Sequence, residues 1–466
     1  MSGVNAALLR AWTRLGPGFL PFADVVTPDL TAGRLLRLSL FQVSVGMAAA
    51  LLIGTLNRVM IVELGVAAWL VALMVSLPLV FAPLRALIGF RSDSHRSALG
   101  WRRVPYLWFG TMLQFGGFAI MPFALLILSG DTEGPGWVGH VAAAAAFLLV
   151  GAGLHTVQTV GLALATDLAP ADSQPRVVAL LSVMLLVGMV VSGILFGIAL
   201  QDFSQLRLIQ VIQGAAVVTV VLNVIAMWKQ EPRRRGQATA GAGSFRESWA
   251  ALRREGPWTR RLAASGLGTA AFSMQDILLE PYGGQILGLG VGATTLLTAV
   301  LAAGSIAGFI LAARLLADGG DAHRVAAGGA LVGICSFTAV VLAGPLGSAA
   351  IFSGGVALIG FGAGLFAHAT LTACMRVAPA GKVGLALGAW GAVQASAAGI
   401  AIATGGFVRD VVGSAADAGR LGDALASPAT GFGAVYLIEI ILLFVTLAVI
   451  GPLVRPTSGQ TRSNGG

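Results

Sequence analysis

Three ionisable side chains lie inside strongly apolar stretches and are the first candidates for chemistry. Arg58 lies deep in the apolar run 38–62, and Asp276 and Glu280 lie four residues apart in the run 262–287. A charge at the centre of a membrane costs roughly 2.5–3.5 kcal/mol, so such residues usually have a function. On one continuous helix the two carboxyl groups would share a face and repel each other. One of them should then be protonated or paired with a cation.

Arg58 is the candidate cation. Counted along their helices at about 1.5 Å per residue, Arg58 and Glu280 reach a similar depth, which predicts an ion pair of Arg58 with Glu280 or Asp276. Alternatively, Arg58 extends to the headgroups and Glu280, next to Pro281, lies in a loop. The amide side chains beside these positions, which could line a cavity or join helices, are Asn57 and Gln275. Two other carboxylates are expected at helix ends near the membrane surface, Asp167 and Glu439.

The loop 89–103 combines one carboxylate with several guanidinium groups. Charge-assisted bonds between them could hold two helices, or two halves of the protein, in one arrangement. Alternatively, the arginines only mark the cytoplasmic side. The spacing resembles the cytoplasmic loop motif of the major facilitator superfamily and favours a latch or gate. We assign to this cytoplasmic latch motif Arg85, Gly89, Asp93, Arg96, Arg102 and Arg103.

His155 and His368 follow two similar Gly-Ala-Gly-Leu segments. A neutral imidazole can ligate the magnesium of a chlorophyll-type pigment, which makes both residues candidate pigment ligands. A lone histidine in a glycine-rich helix is more often a hydrogen-bonded residue between helices. The sequence contains no phosphate-binding loop, hydrolase elbow, zinc-protease motif or Cys/His cluster, so we expect no enzyme and no metal site.

The composition indicates that lipid is part of this protein's solvent. The 466 residues are 56% hydrophobic and 11% charged, whereas soluble domains carry about 25% charge. About twelve runs reach the roughly 20 apolar residues that a spanning helix needs. They predict an all-α integral membrane protein, and motifs that recur in both halves predict a 6+6 pseudo-symmetric, major facilitator-like bundle. The predicted spans lie near 38–62, 66–88, 104–129, 138–167, 177–200, 207–228, 262–287, 291–316, 323–346, 348–376, 383–408 and 430–454.

The basic residues predict orientation and domain limits. Most of the 29 Lys and Arg lie in segments on one side of the predicted membrane, which places that side and both termini in the cytoplasm. Because the basic residues are distributed in this way, the net charge of +9 indicates contact with a membrane surface and not with nucleic acid. Two amphipathic segments are expected to lie on that surface as helices, with Trp12 and Arg14 in one and Trp249 and Arg253 in the other. The predicted divisions are a cytoplasmic N-terminal segment (1–37), a six-helix half (38–228), a basic linker (229–261), a second six-helix half (262–454) and a disordered tail (455–466).

Several of these segments resemble the PucC and LhaA family of light-harvesting complex assembly proteins, a branch of the major facilitator superfamily in purple phototrophic bacteria. The segments that carry the resemblance are 34–46, 54–64, 85–93, 100–106 and 274–284. The resemblance implies an assembly factor in the bacterial inner membrane that handles bacteriochlorophyll, antenna α and β polypeptides, or both. It implies as partners those polypeptides, the antenna ring and reaction-centre core, bacteriochlorophyll synthase, the insertion machinery and lipid.

Two other functions remain open at the level of sequence. One is a proton-coupled transporter of a small solute, and the other is a flippase for pigment or lipid. The central parts of several spans consist mainly of Ala, Gly, Val and Leu, which favours an apolar cargo or a partner helix over a polar solute. No tightly bound cofactor is expected; a transient bacteriochlorophyll, a carotenoid or a lipid are the candidate ligands.

Overall fold

The computed structural model describes residues 30–80, 88, 92, 101–130, 135–170, 173–231, 257–377 and 383–454, and these residues form helices and no strands. The helices of the N-terminal half are α1 (Ala32–Ala49, continued by π-helical turns at Ala50–Leu56 and Val59–Glu63), α2 (Ala68–Val80), α3 (Val104–Leu128), α4 (Gly136–Leu168), α5 (Gln174–Ala199) and α6 (Gln205–Met227). Those of the C-terminal half are α7a (Trp258–Ser273), a 3-10 turn (Met274–Ile277), α7b (Leu279–Gln285), α8 (Val291–Ala317), α9 (Ala322–Ala343), α10 (Ala349–Val377), α11 (Val383–Asp417) and α12 (Ala429–Ile450).

Ten of these helices are long and apolar enough to cross a membrane, so the chain is a multi-pass membrane protein. The two other predicted spans differ from the rest. The described part of α2 ends at Val80, and the remainder of its predicted span lies outside the described residues. The predicted span 262–287 is interrupted between α7a and α7b. The predicted end of α11 was too early, because the helix continues to Asp417.

The two halves contact each other through α2 with α11 and through α5 with α8. Small residues permit this close approach, as is typical of helix pairs in membranes. A Cβ atom added at Gly292 of α8 would lie 2.6 Å from the carbonyl oxygen of Gly197 in α5. One added at Gly406 of α11 would lie 2.8 Å from the carbonyl oxygen of Ala68 in α2. Neither position has room for a side chain.

The bundle has two ends, which we call the linker face and the opposite face. The linker face is the end at which α1 and α7a begin. There Gln230, just after α6, accepts a 2.7 Å hydrogen bond on its backbone oxygen from Arg34 of α1. At the opposite face the two halves are joined, because Asp410 of α11 accepts a 2.8 Å hydrogen bond from the backbone N–H of Trp69 in α2. At about 1.5 Å per residue, the 35 residues of α11 exceed a hydrocarbon core of roughly 30 Å. Its charged end therefore need not lie in lipid.

Charged contacts at the linker face hold the start of α3. Glu231 accepts hydrogen bonds of 2.8–3.1 Å from the backbone N–H groups of Arg102, Arg103 and Val104. The first N–H groups of a helix have no partner within the helix, and a carboxylate there also interacts favourably with the helix dipole. The chain that leaves α6 is thereby fixed to α3 within the first residues of the predicted linker.

The latch motif is described only in part. Arg85, Gly89, Asp93 and Arg96 lie outside the described residues, so the role of Asp93 stays a prediction. The paired arginines bind another acid: Asp167, at the end of α4, accepts from Arg102 at 3.0 Å and from Arg103 at 3.2 Å. Arg103 also donates to the Ser92 hydroxyl at 2.6 Å. These described contacts lie within the N-terminal half.

Candidate functional site

The break in α7 is positioned by its own sequence. Pro281 lacks an N–H group, and in an uninterrupted helix its ring would clash with the carbonyl of residue 277. The chain instead forms a 3-10 turn through Ile277 and restarts as α7b at Leu279, which leaves Pro281 in a first turn where an N–H would have no partner. The expectation of one continuous helix that carries Asp276 and Glu280 on a single face was wrong for this reason.

Polar side chains from α12, from α1 and from the break itself satisfy the backbone groups near the break. The backbone N–H of Gln275 donates to Glu439 of α12 at 2.8 Å. The Gln275 amide donates to the carbonyl of Phe272 at 3.0 Å. From the other half, the Asn57 amide donates to the carbonyl of Asp276 at 3.4 Å. Lipid cannot supply such partners, and an interrupted spanning helix persists only where protein supplies them.

The two carboxyl groups of the break face different surroundings. Glu280 is buried in α7b and accepts a 3.0 Å hydrogen bond from the hydroxyl of Thr298 in α8. Its side chain also interacts with the Asn57 amide, so it lies at the boundary between the halves. Asp276 is partly exposed and accepts from the amide of its neighbour Gln275. Asn57 is therefore close to both acidic residues.

The predicted pairing of Arg58 with Glu280 or Asp276 was wrong. Arg58 is 4% exposed and forms a 2.7 Å ion pair with Glu63. The cause is the π-helical turn Val59–Glu63, because a π-helix bonds residues five apart and so brings residue 63 beneath residue 58. The guanidinium still reaches the other half, since it donates to the backbone oxygen of Leu289, before α8, at 3.3 Å.

Glu439 was expected near a membrane surface and lies instead in the middle of α12, fully buried. One of its oxygens binds the Gln275 N–H, and the other, Oε2, has no hydrogen-bond partner. The buried position of Glu439 is explained by the break in α7, because the break leaves the Gln275 N–H available as a donor to α12. The sequence pattern does not reveal this donor.

A cavity of about 220 Å³ lies beside the break, among α7a, α8, α10 and α11 of the C-terminal half. The polar groups in its wall include Gln275, Asp276, Ser305 and Gln394, and aromatic rings face it as well. The lining residues in the described part of the chain include no lysine, arginine or histidine. A predominantly apolar pocket with a few converging polar groups is the usual form of a small-molecule site.

The candidate pigment ligands lie in different halves, His155 in α4 and His368 in α10. The ring of His368 lies 4.1 Å, centroid to centroid, from that of Phe309 in α8. The Nδ1 atom of His368 is buried and has no hydrogen-bond partner. Pigment ligation by either histidine stays a prediction, as do the surface helices, because Trp12, Arg14, Trp249 and Arg253 lie outside the described residues.

Glu63, Thr298 and Asp410 were not predicted as functional residues, and Glu439 was predicted at a membrane surface. Only Glu439 gave a usable signal, since it stands in the middle of the apolar run 430–454. Glu63 and Asp410 flank apolar runs and are indistinguishable in sequence from ordinary surface acids. Thr298 is one of many hydroxyl side chains in spans, and its partner depends on how the two halves are packed.

Comparison with known proteins gives a family match over most of the chain. A family model described as PUCC protein matches residues 55–458. Protein PucC of Rhodovulum sulfidophilum is 60% identical over 421 residues, which cover 88% of this chain and 92% of the relative. A protein of Rhodobacter capsulatus, described as uncharacterized and encoded in the puhA-bchM intergenic region, is 57% identical over 444 residues, 94% of this chain and 93% of the relative.

Solved structures that share this fold include transporters of low sequence identity. A bacterial homologue of the human lysosomal transporter Spinster, in its inward-facing and occupied conformation, has a TM-score of 0.65 at 12% identity. The match covers 90% of this chain and 95% of the transporter. At that identity the likeness supports the major facilitator fold and carries no information on cargo.

Proposed function

Because the chain belongs to the PUCC protein family, we propose that it is an assembly factor for the light-harvesting antenna of a purple phototrophic bacterium. The observation that carries this proposal is the family match over residues 55–458, supported by 60% identity to a PucC protein across nearly the whole chain. In this role the protein acts without catalysis on bacteriochlorophyll, on the antenna α and β polypeptides, or on both, while the antenna ring forms.

The partners that this role requires are the α and β polypeptides, the ring and its reaction-centre core, bacteriochlorophyll synthase and the machinery that inserts polypeptides into the membrane. The membrane is then the bacterial inner membrane. Its cytoplasmic side is the linker face, because Arg34, Arg102 and Arg103 lie there and basic residues remain on the cytoplasmic side.

The geometry suggests how the two halves could change their relative position during assembly. They are joined at the opposite face by the Asp410–Trp69 hydrogen bond and near the break by the contacts of Asn57. A rearrangement of the halves must break or exchange these contacts, the Arg58–Leu289 hydrogen bond and the packing of α2 with α11 and of α5 with α8. In the proposed mechanism such a rearrangement opens or closes a surface that holds pigment or a single antenna helix.

Loss of the inter-half contact provides the test. In a phototrophic strain whose own copy is deleted, the wild-type chain should restore the near-infrared absorbance of the antenna. Asn57→Ala removes the amide that contacts both Asp276 and Glu280, and it should restore less than about half of that absorbance at equal protein level. The matched control is Asp202→Asn, an acid whose side chain is 88% exposed. Full restoration by Asn57→Ala would contradict the mechanism, and unchanged antenna in the deletion strain would contradict the function.

Solute transport is the second candidate, and one observation favours it. Broken helices with polar groups at mid-membrane are characteristic of secondary transporters, and α7 has this form. Proteoliposomes with the purified chain would then accumulate a small solute in response to a pH gradient, and Asp276→Asn would abolish that uptake. An assembly factor instead copurifies with antenna polypeptides or pigment and shows no such accumulation.

A further inference from the structure

We propose that the cavity beside the α7 break is a binding site for a compact, largely apolar molecule that carries one hydrogen-bond-donating group, most favourably a protonated amine. The site lies within the C-terminal half, and its side chains define the chemistry of the ligand. The proposal concerns binding by the isolated chain and holds whether or not the chain assembles antennae.

The polar groups near the break offer acceptors to a ligand. The Gln275 amide nitrogen is already used, since it donates to the backbone oxygen of Phe272 and to the Asp276 carboxylate. Its oxygen, Oε1, has no hydrogen-bond partner but is closed to solvent, so the accessible acceptors in the cavity wall are Asp276 and Ser305. The Ser305 hydroxyl donates to the backbone oxygen of Leu301 at 3.0 Å, which leaves its lone pairs available. A ligand that only accepts hydrogen bonds would leave these oxygens unsatisfied.

The electrostatics favour a positive charge on the donor. Among the described residues that line the cavity, Asp276 is the one with a titratable side chain. Arg58, the cation that the sequence had suggested as its partner, forms its ion pair with Glu63 instead. Two more buried carboxyl groups lie at the break. Glu280 follows it in α7b, and Glu439 of α12 accepts a hydrogen bond from the Gln275 backbone N–H. A desolvated carboxyl group without a counter-ion tends to keep its proton, and a cation in the cavity favours the ionised form.

The rest of the wall indicates an apolar body for the ligand. Phe272 and Phe366 both face the cavity, and their ring centroids are 6.0 Å apart. Leu301, Ile359 and Ala363 complete an apolar surface around the polar end. Aromatic faces also attract a nearby cation. The ligand therefore has one donor group directed at Asp276 and an apolar or aromatic portion against the two phenylalanines.

Three probes of nearly equal size test the proposal: tryptamine, tryptophol and 3-propylindole, which carry an ammonium, a hydroxyl and a methyl group at the same place. Equilibrium dialysis against the full chain in nanodiscs measures saturable binding, with protein-free nanodiscs as the correction for partition into lipid. Since a hydrogen bond to a charged group is among the strongest in proteins, tryptamine should bind at least about tenfold more tightly than 3-propylindole, with tryptophol between them.

Two variants locate the binding. Asp276→Asn should remove the advantage of tryptamine while 3-propylindole still binds, which also shows that the cavity is intact. Ala363→Leu should fill the cavity and abolish binding of all three probes, and the exposed control Asp202→Asn should change nothing. Equal affinities for the three probes on the wild-type chain, an undiminished tryptamine advantage in Asp276→Asn, or no saturable binding up to millimolar concentration would each overturn the proposal. Failure here would leave the antenna test unaffected, since that test measures absorbance in cells.

Discussion

Replacement of Glu439 tests whether the break in α7 depends on a hydrogen bond from α12. In Glu439→Leu the Gln275 N–H loses its 2.8 Å acceptor inside the protein. An unsatisfied buried donor costs about 1–3 kcal/mol. Hydrogen bonds between membrane helices average nearer 0.6 kcal/mol because the unfolded chain also finds partners. The same substitution also removes Oε2, a buried oxygen without a hydrogen-bond partner, which is stabilising. We therefore expect the free energy of unfolding to fall by about 1 kcal/mol in total.

Unfolding by SDS in mixed micelles, followed by tryptophan fluorescence, measures this loss. A loss of about 1 kcal/mol corresponds to roughly a fivefold change in the folded-to-unfolded ratio. Glu439→Gln keeps an acceptor oxygen and should lose less than Glu439→Leu. The control Ile441→Leu changes a side chain of the same helix that is 60% exposed, and it should stay within about 0.5 kcal/mol of wild type. A Glu439→Leu variant as stable as the wild type would show that the break does not need this acceptor.

Two further predictions concern the boundary between the halves. A double-mutant cycle on unfolding should give a coupling of about 1 kcal/mol for Arg58 with Glu63 and less than about 0.5 kcal/mol for Arg58 with Glu280. The reason is that, of these two pairs, only the first is in contact. The reverse order of the two couplings would support the original ion-pair hypothesis. Gly406→Leu should reduce the monodisperse fraction in size-exclusion chromatography by more than half, because the leucine side chain would collide with α2. The control Gly433→Leu should match the wild type, because a Cβ added at Gly433 meets no atom within 4 Å. Equal behaviour of the two variants would contradict the close helix contact.

The sequence predicted the helices well where hydropathy alone determines them. The span expected at 104–129 is α3, Val104–Leu128, and the span expected at 291–316 is α8, Val291–Ala317. Both are uninterrupted helices whose ends coincide with polar residues or turns. Of the intramembrane polar residues that the sequence singled out, Asn57 contacts the Asp276 backbone and Glu280 across the boundary between the halves, and their functional role stays a prediction.

The pairing of these residues was not predictable by counting along ideal helices. The π-helical turns of α1 give Arg58 a partner five residues away, and a 3-10 turn interrupts α7 between Ser273 and Leu279. Both effects change which residues share a helix face. The role of Glu439 follows from the second effect, because only a broken helix presents a free N–H to α12.

The most direct test of the central claim is the content of the purified protein itself. The full chain, affinity-tagged and extracted in mild detergent from pigmented membranes during antenna synthesis, should carry antenna α or β polypeptides, bacteriochlorophyll absorbance, or both, in amounts comparable to the chain. The same purification of Asn57→Ala should retain a smaller amount. A wild-type preparation that is colourless and contains neither polypeptide would contradict an assembly role and leave solute transport as the better account of this fold.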